Sequence, residues 1–145
     1  MAVIDVWNGP AVVAAARAEM IRRLRSAGQL VVDETKRLLN RSQPTTSGEG
    51  GKRRRGLAPS KPGEPPKRLE GLLISSIAPR LLEFPHELVL QVGTPVVYAR
   101  RLELGFIGTD TKGRNVKQAP RPYLRKALAN VRHAIPRVLG AEAAA

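Results

Sequence analysis

The chain has 145 residues, with 25 Lys or Arg against 12 Asp or Glu, so its formal charge at pH 7 is +13. This length suffices for one domain with a hydrophobic core, and the lack of cysteine excludes disulfides, thiolate metal sites and cysteine nucleophiles. The positive charge favours anionic partners, nucleic acid first. No apolar run approaches the ~18 residues of a membrane span, and the first residues lack the basic start of a signal peptide. We therefore expect an intracellular or particle-associated protein with no membrane partner.

A long helix is predicted over residues 10–41, with Asn8 as a candidate cap and Pro10 in the first turn. At about 1.5 Å per residue it would be roughly 45 Å long, which is long for a domain of this size. Part of its core-facing stripe is therefore expected to face another chain, and Gly28 is expected to mark a bend. The stripe recurs at steps of three and four residues: Val13, Ala16, Met20, Leu24, Ala27, Val31, Thr35 and Leu38.

Residues 42–68 are predicted to form an exposed basic arm, because residues 44–66 hold five prolines, five glycines and almost no apolar side chains. Its basic cluster is either a DNA-phosphate contact or a solvated run in a flexible loop. The preceding glycines do not complete a nucleotide-binding loop, since Arg53 stands where that motif needs a hydroxyl. The cluster consists of Lys52, Arg53, Arg54 and Arg55.

Short elements are predicted next. Residues 69–77 suit a helical turn that runs into a strand, and Pro79 and Pro85 are expected to bracket a bend. Residues 87–93 alternate apolar side chains on one face and give the clearest strand. A short helix is predicted within residues 96–104, ended by Gly105.

Residues 108–118 are predicted to form either a hairpin or one strand, with a turn at Gly113. A last helix is expected after Pro122, with Pro136 kinking or ending it. The order of elements predicts an α+β fold with a small, mostly antiparallel sheet. We expect a single domain over residues 1–145, with 140–145 a frayed tail. The stripe of the last helix consists of Leu124, Leu128, Val131, Ile135 and Val138.

No catalytic constellation is present in the sequence, so neither an enzyme nor a cofactor or metal site is expected. His86 and His133 are the only histidines, and no carboxylates cluster with them, which favours surface positions. Ser75 and Ser76 lack a neighbouring base and are expected to satisfy backbone groups. Glu103 is expected to pair with the neighbouring Arg100 or Arg101.

Three motifs, spread in order over residues 60 to about 139, carry a family resemblance. The run SKPGEPP at 60–66, with LEGLL at 69–73 and SI at 76–77, is similar to S-x-P-G-x-P-P … T-G-x-L-x-x-S-I. The runs VGT at 92–94, YA at 98–99 and LELGF at 102–106 are similar to V-G … Y-A-x-x-x-E-x-G. The run APRPYL at 119–124, followed by AL at 127–128, is similar to R-P-(F/Y)-L-x-x-A-L. The chain thus resembles the tail-completion, or head–tail connector, proteins of long-tailed bacteriophages.

The resemblance implies a structural virion protein of the phage neck. Such a protein forms a ring, of six or twelve copies by analogy, that joins the head and portal side to the tail and lets DNA pass. Its expected partners are sister copies, neighbouring neck, portal-side and tail proteins, and DNA in the lumen. Its expected location is the virion, and the host cytoplasm during assembly. The alternative is a non-sequence-specific nucleic-acid-binding protein that acts through residues 52–55.

The resemblance also implies structural or interface roles for seven residues, with ordinary core and turn chemistry as the open alternative. One pair is expected to anchor the short helix against the sheet, namely Tyr98 and Phe106. Gly105 would permit the helix to stop. Glu103 would pair with a basic group, within the fold or across an interface. The last helix would be seated by Pro122, Tyr123 and Leu124.

Overall fold

The structure, a computed structural model, describes residues 8–41, 61–66 and 71–140. The basic cluster at 52–55 and the tail at 141–145 lie outside the described residues. The α+β prediction is confirmed, with two small antiparallel sheets in place of one. The elements in chain order are α1 (Gly9–Arg41), α2 (Leu72–Ser76), β1 (Ala78–Glu83), β2 (Leu88–Gly93), α3 (Ala99–Leu104), β3 (Phe106–Thr109), β4 (Asn115–Gln118), α4 (Leu124–Val131) and α5 (Ile135–Leu139).

Each sheet is a hairpin of two strands. In β1–β2, Leu81 lies opposite Leu90, and in β3–β4, Ile107 lies opposite Lys117. The bend that Pro79 and Pro85 were expected to bracket lies at Pro85 and His86, between the two strands, while Pro79 lies within β1 opposite Val92. Proline is tolerated there because each two-stranded sheet consists of edge strands.

The hydrophobic core lies under the second half of α1. Its central cluster brings Val32 and Leu39 of α1 against residues from α2, α3 and the start of α4. The predicted stripe holds only in that half, since Val13 and Met20 are 68% and 42% exposed. The buried residues of α1 are Ala27, Gly28, Val31, Val32, Thr35 and Leu39.

At Gly28, α1 closely approaches the β1–β2 hairpin. A Cβ atom at this position would lie 2.9 Å from Pro79 Cβ and 3.0 Å from Leu90 Cδ1. The cost of a glycine inside a helix is therefore offset by this close packing of helix on sheet.

The last helix is divided. α4 ends at Val131, and α5 begins at Ile135 with Pro136 in its first turn, where the missing N–H costs nothing. The last turn closes at Gly140, whose φ of 79° favours glycine.

The piece of the predicted arm that the structure describes, residues 61–66, contacts the body of the protein. The backbone N–H of Gly63 donates to the carbonyl of Pro120, and Lys126 donates through Nζ to the carbonyl of Gly63. Pro66 is buried. Residues 61–64 are exposed, as predicted for the arm, whereas the exposure predicted at Pro66 is wrong.

Candidate functional site

The carboxylate of Glu103 joins α3 to the beginning of α4. One oxygen, Oε2, accepts the backbone N–H groups of Tyr123 at 2.7 Å and Leu124 at 3.1 Å, while Oε1 accepts that of Arg125 at 3.0 Å. These N–H groups belong to the start of a helix, where no backbone acceptor is within reach. Glu103 is only 8% exposed, so it acts as a buried cap supplied from another helix.

Arg125 completes this junction. Its Nε lies 3.3 Å from Glu103 Oε1, and its Nη2 donates to the backbone carbonyl of Glu103 at 3.2 Å. The sequence predicted a basic partner for Glu103, but the partner in the structure is this residue of α4. The expected pairing with Arg100 or Arg101 is therefore corrected.

Tyr123, next to this carboxylate, is the largest fully buried side chain described, at 1% exposed. Burial, followed by the negative charge of Glu103, raises the pKa of its hydroxyl to about 12. Tyr98 precedes α3 and is 44% exposed, whereas Tyr123 belongs to the central core cluster together with Ala99 of α3. Leu124 packs half-buried against the core, and Pro122 is half-buried beside it.

Gly105 ends α3 and allows β3 to begin at once. Its φ is 78°, and a Cβ atom here would lie 2.8 Å from the carbonyl oxygen of Gln118. The stop at Gly105 thus needs glycine for two reasons, the left-handed φ and the approach of β4.

The β3–β4 hairpin carries a group of charges that the sequence analysis did not predict. The guanidinium of Arg101 lies 4.2 Å from the ring centroid of Phe106. The Asp110 carboxylate accepts hydrogen bonds from the backbone N–H and the side-chain Nε of Arg114. Lys112 donates its backbone N–H to the same carboxylate. Hydrogen bonds from Arg114, with a smaller contribution from the charge of Arg101, lower the pKa of Asp110. We call Arg101, Asp110, Lys112 and Arg114 the hairpin cluster.

Charge is concentrated in the C-terminal part of the described chain. Residues 99–140 hold ten Lys or Arg and two Asp or Glu, a net charge of +8, whereas residues 71–98 hold one Arg and two Glu. The two acidic residues, Glu103 and Asp110, are the ones engaged by α4 and by the hairpin turn. The exposed charge of this part is therefore almost entirely positive.

The first two turns of α1 are apolar and exposed. Residues 10–16 read PAVVAAA, and every one of them is exposed, with Val12 at 66% and Val13 at 68%. Two turns of helix cover all directions around the axis, so this segment is apolar on every side. We call residues 10–16 the apolar tip.

An open apolar cleft lies between the second half of α1, β2 and the last two helices. Its volume is about 330 Å³. We call it the apolar cleft, and its lining residues are Leu24, Ala27, Val31, Leu90, Val92, Leu124, Arg125, Leu128, Ile135 and Leu139.

Other residues singled out in the sequence have ordinary positions. His86 and His133 are both exposed. The hydroxyls of Ser75 and Ser76 donate to the carbonyls of Leu72 and Leu73 within α2.

The described ranges hold neither a candidate metal centre nor a candidate membrane helix. Across residues 8–41, 61–66 and 71–140, no three His, Cys, Asp or Glu side chains form a group that could hold a metal ion. In the same ranges, no helix combines the length and the apolar character needed to span a bilayer.

Comparisons of the chain with protein-family models, with curated proteins and with solved structures gave no match.

Proposed function

We propose that this protein is a structural subunit of the neck of a long-tailed bacteriophage. In this role it forms part of an oligomeric ring between the head and portal side and the tail, through which DNA passes. Two arguments support the proposal: the three ordered motifs over residues 60–139, and the exposed apolar surfaces of the folded chain.

The observation that carries the proposal is the apolar tip. A helix that is apolar on all sides is normally buried, yet Val12 and Val13 are about two-thirds exposed here. We propose that the tip is buried by a second copy of the chain. The alanine and valine side chains of the tip are small enough to enter the apolar cleft of a neighbour.

Such a contact is heterologous, because the tip of one copy meets a different surface of the next. A heterologous contact closes into a ring when the rotation between neighbouring copies divides a full turn. The proposed contact thus explains how a chain with a small core of its own assembles into a closed structure.

The test is a Val13→Asp variant, with Val97→Asp as the matched control. Val97 is 88% exposed and lies outside both the tip and the cleft. We expect wild type and the control to form rings of six or twelve copies by native mass spectrometry, alone or mixed with neck partners. We expect the tip variant to remain a folded monomer, with an unchanged circular dichroism spectrum. A wild-type protein that stays monomeric with its partners and never enters the particle would refute the proposal.

A second candidate function is non-sequence-specific nucleic-acid binding. The observation that favours it is the net charge of +8 over residues 99–140. The arm at 52–55 remains a predicted contact for the same ligand. Both contacts are compatible with a ring that surrounds DNA.

A further inference from the structure

The hairpin cluster contains three cationic side chains and one carboxylate, that of Asp110, which already accepts hydrogen bonds from within the turn. The Arg114 side chain bonds the carboxylate of Asp110, Lys112 donates its backbone N–H to it, and the charge of Arg101 acts on it. These four residues carry a net charge of +2. Lys112 and both arginines are exposed, and the side chain of Arg114 is 71% exposed. An anion that approaches this hairpin therefore meets cations without displacing water from a buried site.

The two guanidinium groups are already oriented. The ring of Phe106 supports one face of Arg101, and Asp110 holds Arg114 through Nε and Nη2. Nη1 of Arg114 lies on the side away from those two bonds, and a guanidinium can serve two acceptors at once because it has five N–H donors. Oriented guanidinium groups lose less side-chain entropy when they bind a phosphate.

The cluster suits duplex phosphates better than single-stranded bases. Binding of single strands normally uses exposed aromatic rings on which bases stack. The aromatic ring of this cluster, Phe106, is half-buried between Arg101 and Gly108, where a Cβ atom would lie 2.9 Å from the ring. The ring therefore packs against Arg101 and is not exposed for stacking with a base.

We propose that Arg101, Lys112 and Arg114 of the β3–β4 hairpin form a binding site for the phosphates of duplex DNA. This inference rests on the proposed nucleic-acid contact and moves its centre from the arm at 52–55 to the folded body. It concerns phosphate contact alone, so binding is independent of base sequence.

The main experiment measures binding of a duplex oligonucleotide to the full chain over a series of salt concentrations. The test variant is Arg101→Gln, Lys112→Gln and Arg114→Gln combined. The control removes the same charge from exposed positions elsewhere, through Arg25→Gln, Lys117→Gln and Arg132→Gln. Lys117 is the most informative control position, because it belongs to the same hairpin but lies on the face opposite Phe106.

We expect the test variant to lower the slope of log affinity against log salt by roughly 2.7, at about 0.9 per lost phosphate contact. At ~100 mM salt we expect an affinity loss of at least ~10-fold for the test variant and under ~3-fold for the control. A comparable loss in both variants would overturn the site, because binding would then follow net charge alone. Complete loss on neutralising residues 52–55, with the hairpin intact, would also overturn it.

A loss of affinity could also result from misfolding, so a second variant is chosen for which an increase in affinity is expected. Asp110→Asn keeps an amide oxygen that can still accept from the turn and from Arg114, and it removes one negative charge that repels phosphate. We expect it to bind duplex DNA several-fold more tightly, while Glu87→Gln, which removes the same charge from the other hairpin, changes affinity less. Equal gains in both would contradict the site. All of these measurements use unassembled protein, so failure to form rings leaves their outcome unchanged.

Discussion

Glu103 and Arg125 are 22 positions apart in the chain, yet Arg125 contacts both the carboxylate and the backbone carbonyl of Glu103. The same carboxylate accepts three backbone N–H groups at the start of α4. One acidic side chain therefore fastens the start of α4 to the end of α3. Its chemistry is that of an N-terminal helix cap provided from a distance in sequence.

Removing this cap is expected to destabilise the fold strongly. Glu103→Ala leaves three N–H groups without an acceptor, and we expect the free energy of unfolding in urea to fall by about 3 kcal/mol. Glu103→Gln keeps one acceptor oxygen and is expected to cost about half as much. Glu87→Ala, at an exposed position, serves as the control and should cost under about 0.5 kcal/mol. Equal losses for Glu103→Ala and Glu87→Ala would contradict the cap.

Gly28→Ala tests the contact between α1 and the β1–β2 hairpin. Alanine favours the helix by about 1 kcal/mol, but its Cβ would meet Pro79 at 2.9 Å, and overpacking costs typically 1–3 kcal/mol. We expect a net loss of about 1 kcal/mol in the free energy of unfolding. The control is Gly93→Ala, because a Cβ at Gly93 meets nothing within 4 Å. A Gly28→Ala protein more stable than wild type would show that the packing is looser than described.

Stability is expected to fall in acid partly through Glu34. A hydrogen bond from Arg37, with a smaller one from Asn130 of α4, lowers the pKa of Glu34 to about 2. The pKa of an unfolded-chain glutamate is about 4.3, so this contribution is complete above that pH and disappears as the pH falls toward 2. Urea midpoints measured from pH 6 to pH 3 should therefore drop less for Glu34→Gln than for wild type. Exposed Glu87→Gln should retain the wild-type drop, and an unchanged drop in Glu34→Gln would contradict the assignment.

Alkaline titration tests the burial of Tyr123. The chain has two tyrosines, so Tyr98→Phe leaves Tyr123 as the single tyrosine. Burial raises its pKa to about 12, and we expect the tyrosinate absorbance of this variant to rise with a midpoint near that pH. Because the folded-state pKa lies above the unfolded value of about 10, the protein also loses stability as the pH rises past about 10. A midpoint near 10 in folded protein would place Tyr123 in contact with solvent.

Local patterns predicted much of this fold. The spacing of apolar residues located α1, and the alternation around Leu88 and Leu90 located β2. Glycine chemistry predicted the end of α3 at Gly105. These features depend on neighbouring residues in sequence, which is why a single chain reveals them.

Features that depend on distant contacts were missed or misassigned. Pro79 was expected to border a bend because proline cannot donate a ladder hydrogen bond, but an edge strand does not require that bond. The partner of Glu103 was sought among its neighbours, whereas the N–H groups of α4 lie about twenty residues further on. The turn at Gly113, by contrast, was predicted, and Asp110 three residues before it adds a local signal typical of such turns.

The division of α1 has a consequence for how the protein changes over time. Its buried residues all lie between positions 27 and 39, so the interior restricts substitutions in that half alone. Substitutions in the first two turns, at positions 10–16, remove no interior contact because these residues are exposed. We therefore expect mutations to accumulate more readily at the start of this rod than in its buried half.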